Sequence, residues 1–250
     1  MGQDFRKVQV VNRNTGLWDP LKSAMVIAEL IENGAEMGFS FALSSDFAKF
    51  GRQRQLLRNS SVSPMFDNAV SRELSDTGFW MSAHNRQGDI IGLQAFRLDY
   101  ADPNLADWAL GWMMGLYAKR RELIIPRQLH TPNHSMAALI QGKIVYHGEL
   151  WIQKNNKGCF NVFPRLGMLL ALLKWQPQAI WALSSEEMAT RGRMVRMGYS
   201  HIERSFLTWE WEPHGAEGVE WLAIAERRHL EFAVAEMAVT EERYQLLPAQ

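Results

Sequence analysis

The feature that most constrains this chain is the passage from Lys143 to Ser184. It opens with "KIVYHGELWIQ", which alternates as a strand does, with Val145, His147, Glu149 and Trp151 on one face and Ile144, Tyr146, Leu150 and Ile152 on the other. A loop, "KNNKGCFNVF", leads to "PRLGMLLALLKW", a helix apolar nearly all round and therefore buried, with Pro164 at its opening turn and Pro177 beyond its end. "AIWALS" then forms a short, wholly apolar strand, as expected at the centre of a sheet. A strand, a buried helix and a central strand in succession require a layered mixed α+β domain. With 47% hydrophobic residues in 250, the chain can bury such a core.

The segments on either side extend the pattern. Upstream, Asp19-Pro20 caps and opens a helix carrying Ala24, Ile27, Ala28 and Ile31 at helical spacing, ended by Gly34 or Gly38. "GFSFALSS" reads as a strand, the segment after Asp46 as a helix, and "MFDNAVSREL" as a further helix. "FWMSAH" and "IIGLQAFRL" flank the turn "NRQGD" as a hairpin. Residues 99–142 hold an apolar-then-basic helix, "WALGWMMGLYAKRREL", and a loop, "IPRQLHTPNHS". Downstream, Ser184 and Glu187 form a capping box. Arg191, Arg193 and Arg196 crowd the later turns, and Gly198 supplies the positive φ that ends the helix. Tyr199 re-enters the core, "HIERSFLTWEW" follows as a strand or bulged pair, and a last helix is expected over 219–237.

Composition narrows the function. Twenty-seven basic residues balance 27 acidic ones, so no global field recruits nucleic acid or an acidic membrane. The single cysteine, Cys159, excludes a disulfide framework within the chain and reads as an incidental thiol. The polar N-terminus lacks a signal-peptide core, Arg6 stands where a myristoylation signal needs Ser or Thr, and the longest apolar run is far short of the ~20 residues that span a bilayer. The expectation is a cytoplasmic protein with no membrane and no nucleic-acid partner.

In the order of its elements the chain resembles the GNAT (N-acetyltransferase-like) superfamily over about residues 38–211. The resemblance rests on the hairpin "FWMSAHNRQGDIIGLQAF", on "HGELWIQKNNKGCFNVFPRLGMLLALL", on "AIWALS", and on "EEMATRGRMVRMGY" in place of a short helix ending in Gly-Phe. It implies a mostly antiparallel twisted sheet flanked by helices, with one parallel strand pair splayed apart. Residues 1–37 form an N-terminal helical extension and 212–250 a C-terminal helix and tail. The resemblance further implies an acyltransferase that moves an acyl group from acetyl-CoA, a longer acyl-CoA or an acyl carrier protein thioester to a small amine or amino acid, with no metal. Leu150, Trp151, Ile152 and Gln153 would flank the pantetheine, and the amides of Arg165, Leu166, Gly167 and Met168 would meet the phosphates. The family's loop reads Arg/Gln-x-x-Gly-x-Gly/Ala, and "FPRLGML" departs from it in spacing; the family's acid position holds Met194. These departures motivate one rival, an inactive binding protein, and the tryptophan-rich insertion within 99–142 motivates a second, a structural oligomer component.

Several side chains are candidates for chemistry. Glu149 on the first strand is the base if it faces a dry cleft, and His147, two residues earlier on the same face, extends a proton path. Both have an alternative reading as rim residues. Ser184 and Ser185 end the central strand, where ligands bind or where they simply cap a helix. His130 and His134, four apart but separated by Pro132, are weak metal ligands. Trp108, Trp112, Met113 and Met114, from a chain with 10 Trp and 13 Met, suit an apolar pocket, core packing or a homodimer interface. Lys119, Arg120 and Arg121 are a solvated charge run or a contact for phosphate or an acidic carrier.

Overall fold

The computed structural model describes residues 18–121, 125–129, 135–156, 158–213 and 216–245. In chain order its elements are α1 (Pro20–Glu36), β1 (Ser40–Ser44), α2 (Phe47–Arg58), α3 (Leu74–Thr77), β2 (Gly78–His84), β3 (Ile90–Ala101), α4 (Leu105–Lys119), β4 (Ile125–Leu129), β5 (Gly142–Ile152), α5 (Cys159–Trp175), β6 (Ala179–Ser184), α6 (Glu186–Thr190), α7 (Arg193–Met197), β7 (His201–Trp211), β8 (Val219–Glu226) and α8 (Arg227–Gln245). The strands form one sheet in the order β1-β2-β3-β5-β6-β8-β7-β4. Every neighbouring pair is antiparallel except β5 and β6, which run parallel. The fold class implied by the resemblance is the one observed.

Two apolar layers sandwich this sheet. On one face α1, α5 and α8 bury Val26, Phe163, Leu169, Val145 and Ile180. On the other, α2, α4 and the turn at Pro64–Phe66 bury Phe50, Phe66, Tyr146, Trp181 and Trp209. Helix α1 starts as its sequence dictates: Asp19 accepts from the amides of Leu21 and Lys22, with Pro20 in the first turn. Its buried face is Ser23, Val26, Ile27, Leu30 and Gly34, so the stripe lies one residue away from Ala24, Ala28 and Ile31, and the helix runs past Gly34.

Four expectations are corrected. "MFDNAVSREL" is not a helix, because the Asp67 carboxylate accepts from Ala69 N at 2.8 Å and turns the chain; only Leu74–Thr77 is helical. "IPRQL" is the edge strand β4, a place where proline is tolerated because one row of backbone groups has no partner. Residues 219–226 are strand β8, lying between β6 and β7, and only then does α8 begin. The sheet therefore extends past residue 211 into the segment set aside as a tail. Finally, α5 begins at Cys159, and Pro164 lies inside it rather than at its opening. Among the described residues no helix is long and apolar enough to cross a membrane.

Candidate active site

The site is made by the parallel pair. β5 and β6 are in register only at Ile144–Ala179, Val145–Ile180 and Tyr146–Trp181. Beyond Tyr146 both strands continue, β5 to Ile152 and β6 to Ser184, without pairing to each other. The cause is on the other edge of β5. Opposite β3, Leu93 pairs with Trp151 and Ala95 with Gly148, so that Gln94 alone faces Glu149 and Leu150. Glu149 takes φ 57, and this bulge bends β5 away from β6. Gln94 is fully buried and ties the bulge to α5 by donating from Nε2 to the Phe163 carbonyl at 2.7 Å. A cavity of about 640 Å³ opens where the strands part.

The bulge also inverts the side-chain alternation read from the sequence. Val145 keeps its face, but Leu150 and Ile152 join it, while Trp151 packs with Tyr146 on the opposite face. His147 and Glu149 consequently point to opposite sides of the sheet, and the expected path along one face does not exist. His147 stacks on Phe96 at 4.3 Å and on Tyr199 at 6.2 Å. The Glu149 side chain turns to α2 and the strap that follows it.

Glu149 is fully engaged there. One oxygen accepts from Arg54 Nε at 2.6 Å and the other from Ser63 N at 2.7 Å, with Arg58 Nη1 at 3.6 Å. Arg54 also donates to the Ser60 hydroxyl and carbonyl, and Arg120 Nη1 donates to the Val62 carbonyl at 2.5 Å. Arginines from α2 and from the end of α4 thus hold residues 60–63 against the bulge. Burial, then Arg54, lowers the Arg58 pKa, while Glu149 raises it.

His147 is 2% exposed, and burial pushes its pKa down to about 3, so the ring is neutral at pH 7. Its Nδ1 lies 2.7 Å from the Tyr199 hydroxyl, and burial holds that phenol well above its usual range and hence protonated. The phenol donating to Nδ1 leaves fewer stranded groups than the reverse, which places the ring proton on Nε2. That nitrogen is buried with no partner, and His147 lines the cavity. Tyr199, 2% exposed, is the core aromatic expected after the Gly turn at Gly198, whose φ is 111.

The remaining expected residues divide. Leu150 and Ser184 line the cavity. Trp151 and Ile152 pack into opposite cores, and Gln153 N donates to the Ile91 carbonyl at 2.8 Å, tying the end of β5 to β3. Arg165, Leu166, Gly167 and Met168 lie in the second and third turns of α5, where backbone amides serve the helix itself. Gly167 has a packing reason: a Cβ there would lie 2.5 Å from Phe96 and 2.6 Å from Gln94. Arg165 Nε donates to the Arg196 carbonyl at 2.9 Å and closes the end of α7. The loop between β5 and α5 is "QKNNKG", Gln153 to Gly158, which matches Gln-x-x-Gly-x-Gly with Asn156 in the first glycine's place. That match was available in the sequence and was hidden by taking Pro164 as the helix start. Helix α5 begins at Gly158 without a side-chain cap and without an acidic residue in its first turn.

Burial raises the Cys159 pKa to about 12, so it remains a thiol. Ser185, not Ser184, caps α6, its hydroxyl accepting from Met188 N at 3.3 Å. Trp108 and Trp112 stack at 5.0 Å and pack against the core, and of that cluster only Met113 reaches the cavity. His130 and His134 lie outside the described residues. Among the described residues His201, Glu226 and His229 bring three ligand atoms within 4.8 Å, and Arg228 Nε, 3.4 Å from the same carboxylate, already supplies a positive charge.

On the side of the cavity facing α4, sequence reasoning offered Met113 for an apolar pocket and missed Tyr117, Tyr146, Trp209 and Glu220. Glu220 lies on the strand misread as helix. Its Oε2 and the Trp209 Nε1 are both shut away from solvent, and the indole N–H acts on the carboxyl without reaching good hydrogen-bond geometry. Burial pushes the Glu220 carboxyl up to about 7, with the Trp209 indole opposing the rise and the Glu217 charge adding to it.

No family model matches the sequence, and no curated protein does. Among solved structures, the chain is similar to NAA60 from Arabidopsis thaliana in complex with a bisubstrate analogue, at 10% identity and a TM-score of 0.43, covering 75% of this chain and 98% of that one. It is similar to FeeM, an N-acyl amino acid synthase from uncultured soil microbes, at 7% identity and a TM-score of 0.41, covering 76% and 91%. It is also similar to a GNAT superfamily phosphinothricin acetyltransferase from Sinorhizobium meliloti in complex with AcCoA, at 10% identity and a TM-score of 0.39, covering 76% and 88%.

Proposed function

We propose that this chain transfers an acyl group from a pantetheine thioester to a small amine. The observation that carries this reading is the parting of β5 from β6 after three residue pairs, with a cavity at the fork and a buried, unpartnered His147 Nε2 in its wall. An extended amide-bearing arm finds unpaired strand backbone along 147–152 on the side facing β6. At the wide end, the uncapped start of α5 and Lys154 suit the phosphates of such a donor.

Chemically the amine attacks the thioester carbonyl, a C–N bond forms, the C–S bond breaks and a thiol leaves. His147 Nε2–H donates to the thioester oxygen as negative charge develops there, from a ring that Phe96 and Tyr199 hold in place. Glu149 acts through others: its two oxygens are taken by Arg54 and Ser63, and it orders the strap that closes the acceptor side.

Calorimetry with acetyl-CoA, longer acyl-CoAs and an acyl carrier protein thioester, followed by thiol release against a panel of amines, tests this reading. Binding with amine-dependent release is expected. His147→Phe keeps a stacked ring without a donor, and kcat should fall on the order of 100-fold while donor affinity holds. Binding of the thioester without release by any amine overturns the proposal.

A further inference from the structure

Acyl transfer to an amine needs a proton acceptor, and both oxygens of Glu149 are already engaged, by Arg54 and by Ser63 N. Three glutamates line the cavity: Glu149, Glu217 and Glu220. Glu217 accepts from Glu186 N at 3.1 Å in an exposed setting. Glu220 differs from both. Strand β6 ends at Ser184, opposite Trp221 of β8, so Glu220 lies one residue past the last β6–β8 pair. Its backbone pairs with Leu207 of β7, while no strand covers it on the β6 side. By alternation it shares the face of Leu222 and Ile224, which is also that of Tyr146 and Trp209. It therefore stands at the fork between the strands, with one oxygen shut away from solvent beside the Trp209 indole.

What surrounds it defines the acceptor. Tyr146 reaches the cavity from β5, Trp209 from β7, and Met113 and Tyr117 from α4. The charged groups on the same cavity are Glu217 near the start of β8, Arg120 at the end of α4, Arg54 and Arg58 on α2, and Glu149 on β5. Arg54 and Arg58 are paired with Glu149, and Arg120 donates to the Val62 carbonyl of the strap. A carboxylate at the base of an aromatic chamber attracts a cation with an apolar body.

We propose that Glu220 is the catalytic base of this site, and that the acceptor it serves is a small primary amine with an apolar or aromatic body. This deepens the acyl-transfer reading and rests on it. The amine arrives as its ammonium and gives one proton to the Glu220 carboxylate. The freed lone pair attacks the thioester carbonyl, the C–S bond breaks, and the second proton lost by nitrogen goes to the departing thiolate. The products are an amide, a thiol and protonated Glu220, which returns its proton to water through the cavity mouth. A carboxyl whose pKa lies near 7 takes up and releases a proton readily at neutral pH.

The test compares the full chain with Glu220→Gln and Glu220→Asp, using acetyl-CoA and either 2-phenylethylamine or ethanolamine. For Glu220→Gln, kcat/KM with 2-phenylethylamine should fall at least ~100-fold, and the acidic limb of its pH profile near 7 should vanish. Glu220→Asp should keep that limb at reduced rate, and calorimetric affinity for acetyl-CoA should stay within about threefold in both variants. A thermal melt matching the wild type shows that each variant is folded. Three results overturn the proposal. Turnover by the wild type with an unmoved limb in Glu220→Gln removes the base alone. Preference for ethanolamine removes the acceptor class. A wild type that binds acetyl-CoA and releases no thiol with any amine removes the acyl-transfer reading itself, and Glu220's role with it.

Discussion

Glu149 and Glu220 are two carboxylates on the wall of one cavity, each with oxygen shut away from solvent, and they have opposite lives. Glu149 sits on the bulge of β5 with two guanidiniums and a backbone amide around it. Glu220 sits at the start of β8, among aromatic rings, with an oxygen shut away from solvent and, among the described residues, no charged donor against it, only the Trp209 indole. Burial alone does not decide what a carboxylate does. Burial with donors makes a strut, because the charge is held by geometry and its loss strands its partners. Burial without charged donors makes a group whose charged form is costly and whose proton is easily exchanged near neutrality.

The largest effect expected from breaking this contrast is at the strut. Glu149→Ala leaves Arg54 buried and unpaired and should destabilise the fold by about 3–5 kcal/mol in urea unfolding. A loss below ~1 kcal/mol would show that the ion pair carries no structural weight. Glu220→Gln should do the reverse and sharpen the comparison. The Glu220 pKa is raised to about 7 in the fold against an ordinary 4.5. Between these values the native state binds the proton that the unfolded chain has lost, so wild-type stability falls as pH rises through this window. The variant should therefore match the wild type at pH 4 and exceed it at pH 8 by on the order of 3 kcal/mol. His147 acts with the opposite sign: its folded pKa of about 3 against an ordinary 6.5 costs stability as pH falls below 6.5. Both proteins share that contribution, so the difference between their curves isolates Glu220. A constant offset at all pH values would refute the assignment of its pKa.

What the sequence made legible and what it hid follow the same division between local and tertiary causes. The hairpin of β2 and β3, the apolar β6 and the glycine stop at Gly198 were readable, because alternation, run length and positive φ are properties of a few neighbouring residues. The bulge at Glu149 was not, since it arises from Gln94 facing two residues across the sheet, and a one-residue slip moves every later side chain to the other face. So His147 and Glu149 both line the cavity, but from opposite sides of the sheet rather than from the one face that alternation gave them. Strand β8 was read as helix because "VEWLAIAERRHLEFAVAEM" is rich in good helix formers, and the slot between β6 and β7 overrode that preference. Glu220 was lost with it. Pro164 misled in a related way: proline favours first turns, but here it is buried within α5, and the loop "QKNNKG" lies upstream of it.

The smallest effect tests the start of α6, where the sequence put the capping box on Ser184. Ser185 Oγ accepts from Met188 N and has the extended backbone of an N-cap, whereas Ser184 Oγ donates to the Ser185 carbonyl at 3.2 Å and faces the cavity. Ser185→Ala should therefore cost about 1 kcal/mol of stability, and Ser184→Ala no more than about 0.5 kcal/mol. Both serines line the cavity, and the Ser185 hydroxyl is spent on the cap, so the ranking should reverse for donor binding. If Ser184→Ala is the more destabilising of the two, the cap belongs to Ser184, α6 begins a residue earlier, and the wall of the fork loses a polar group that a bound thioester would meet.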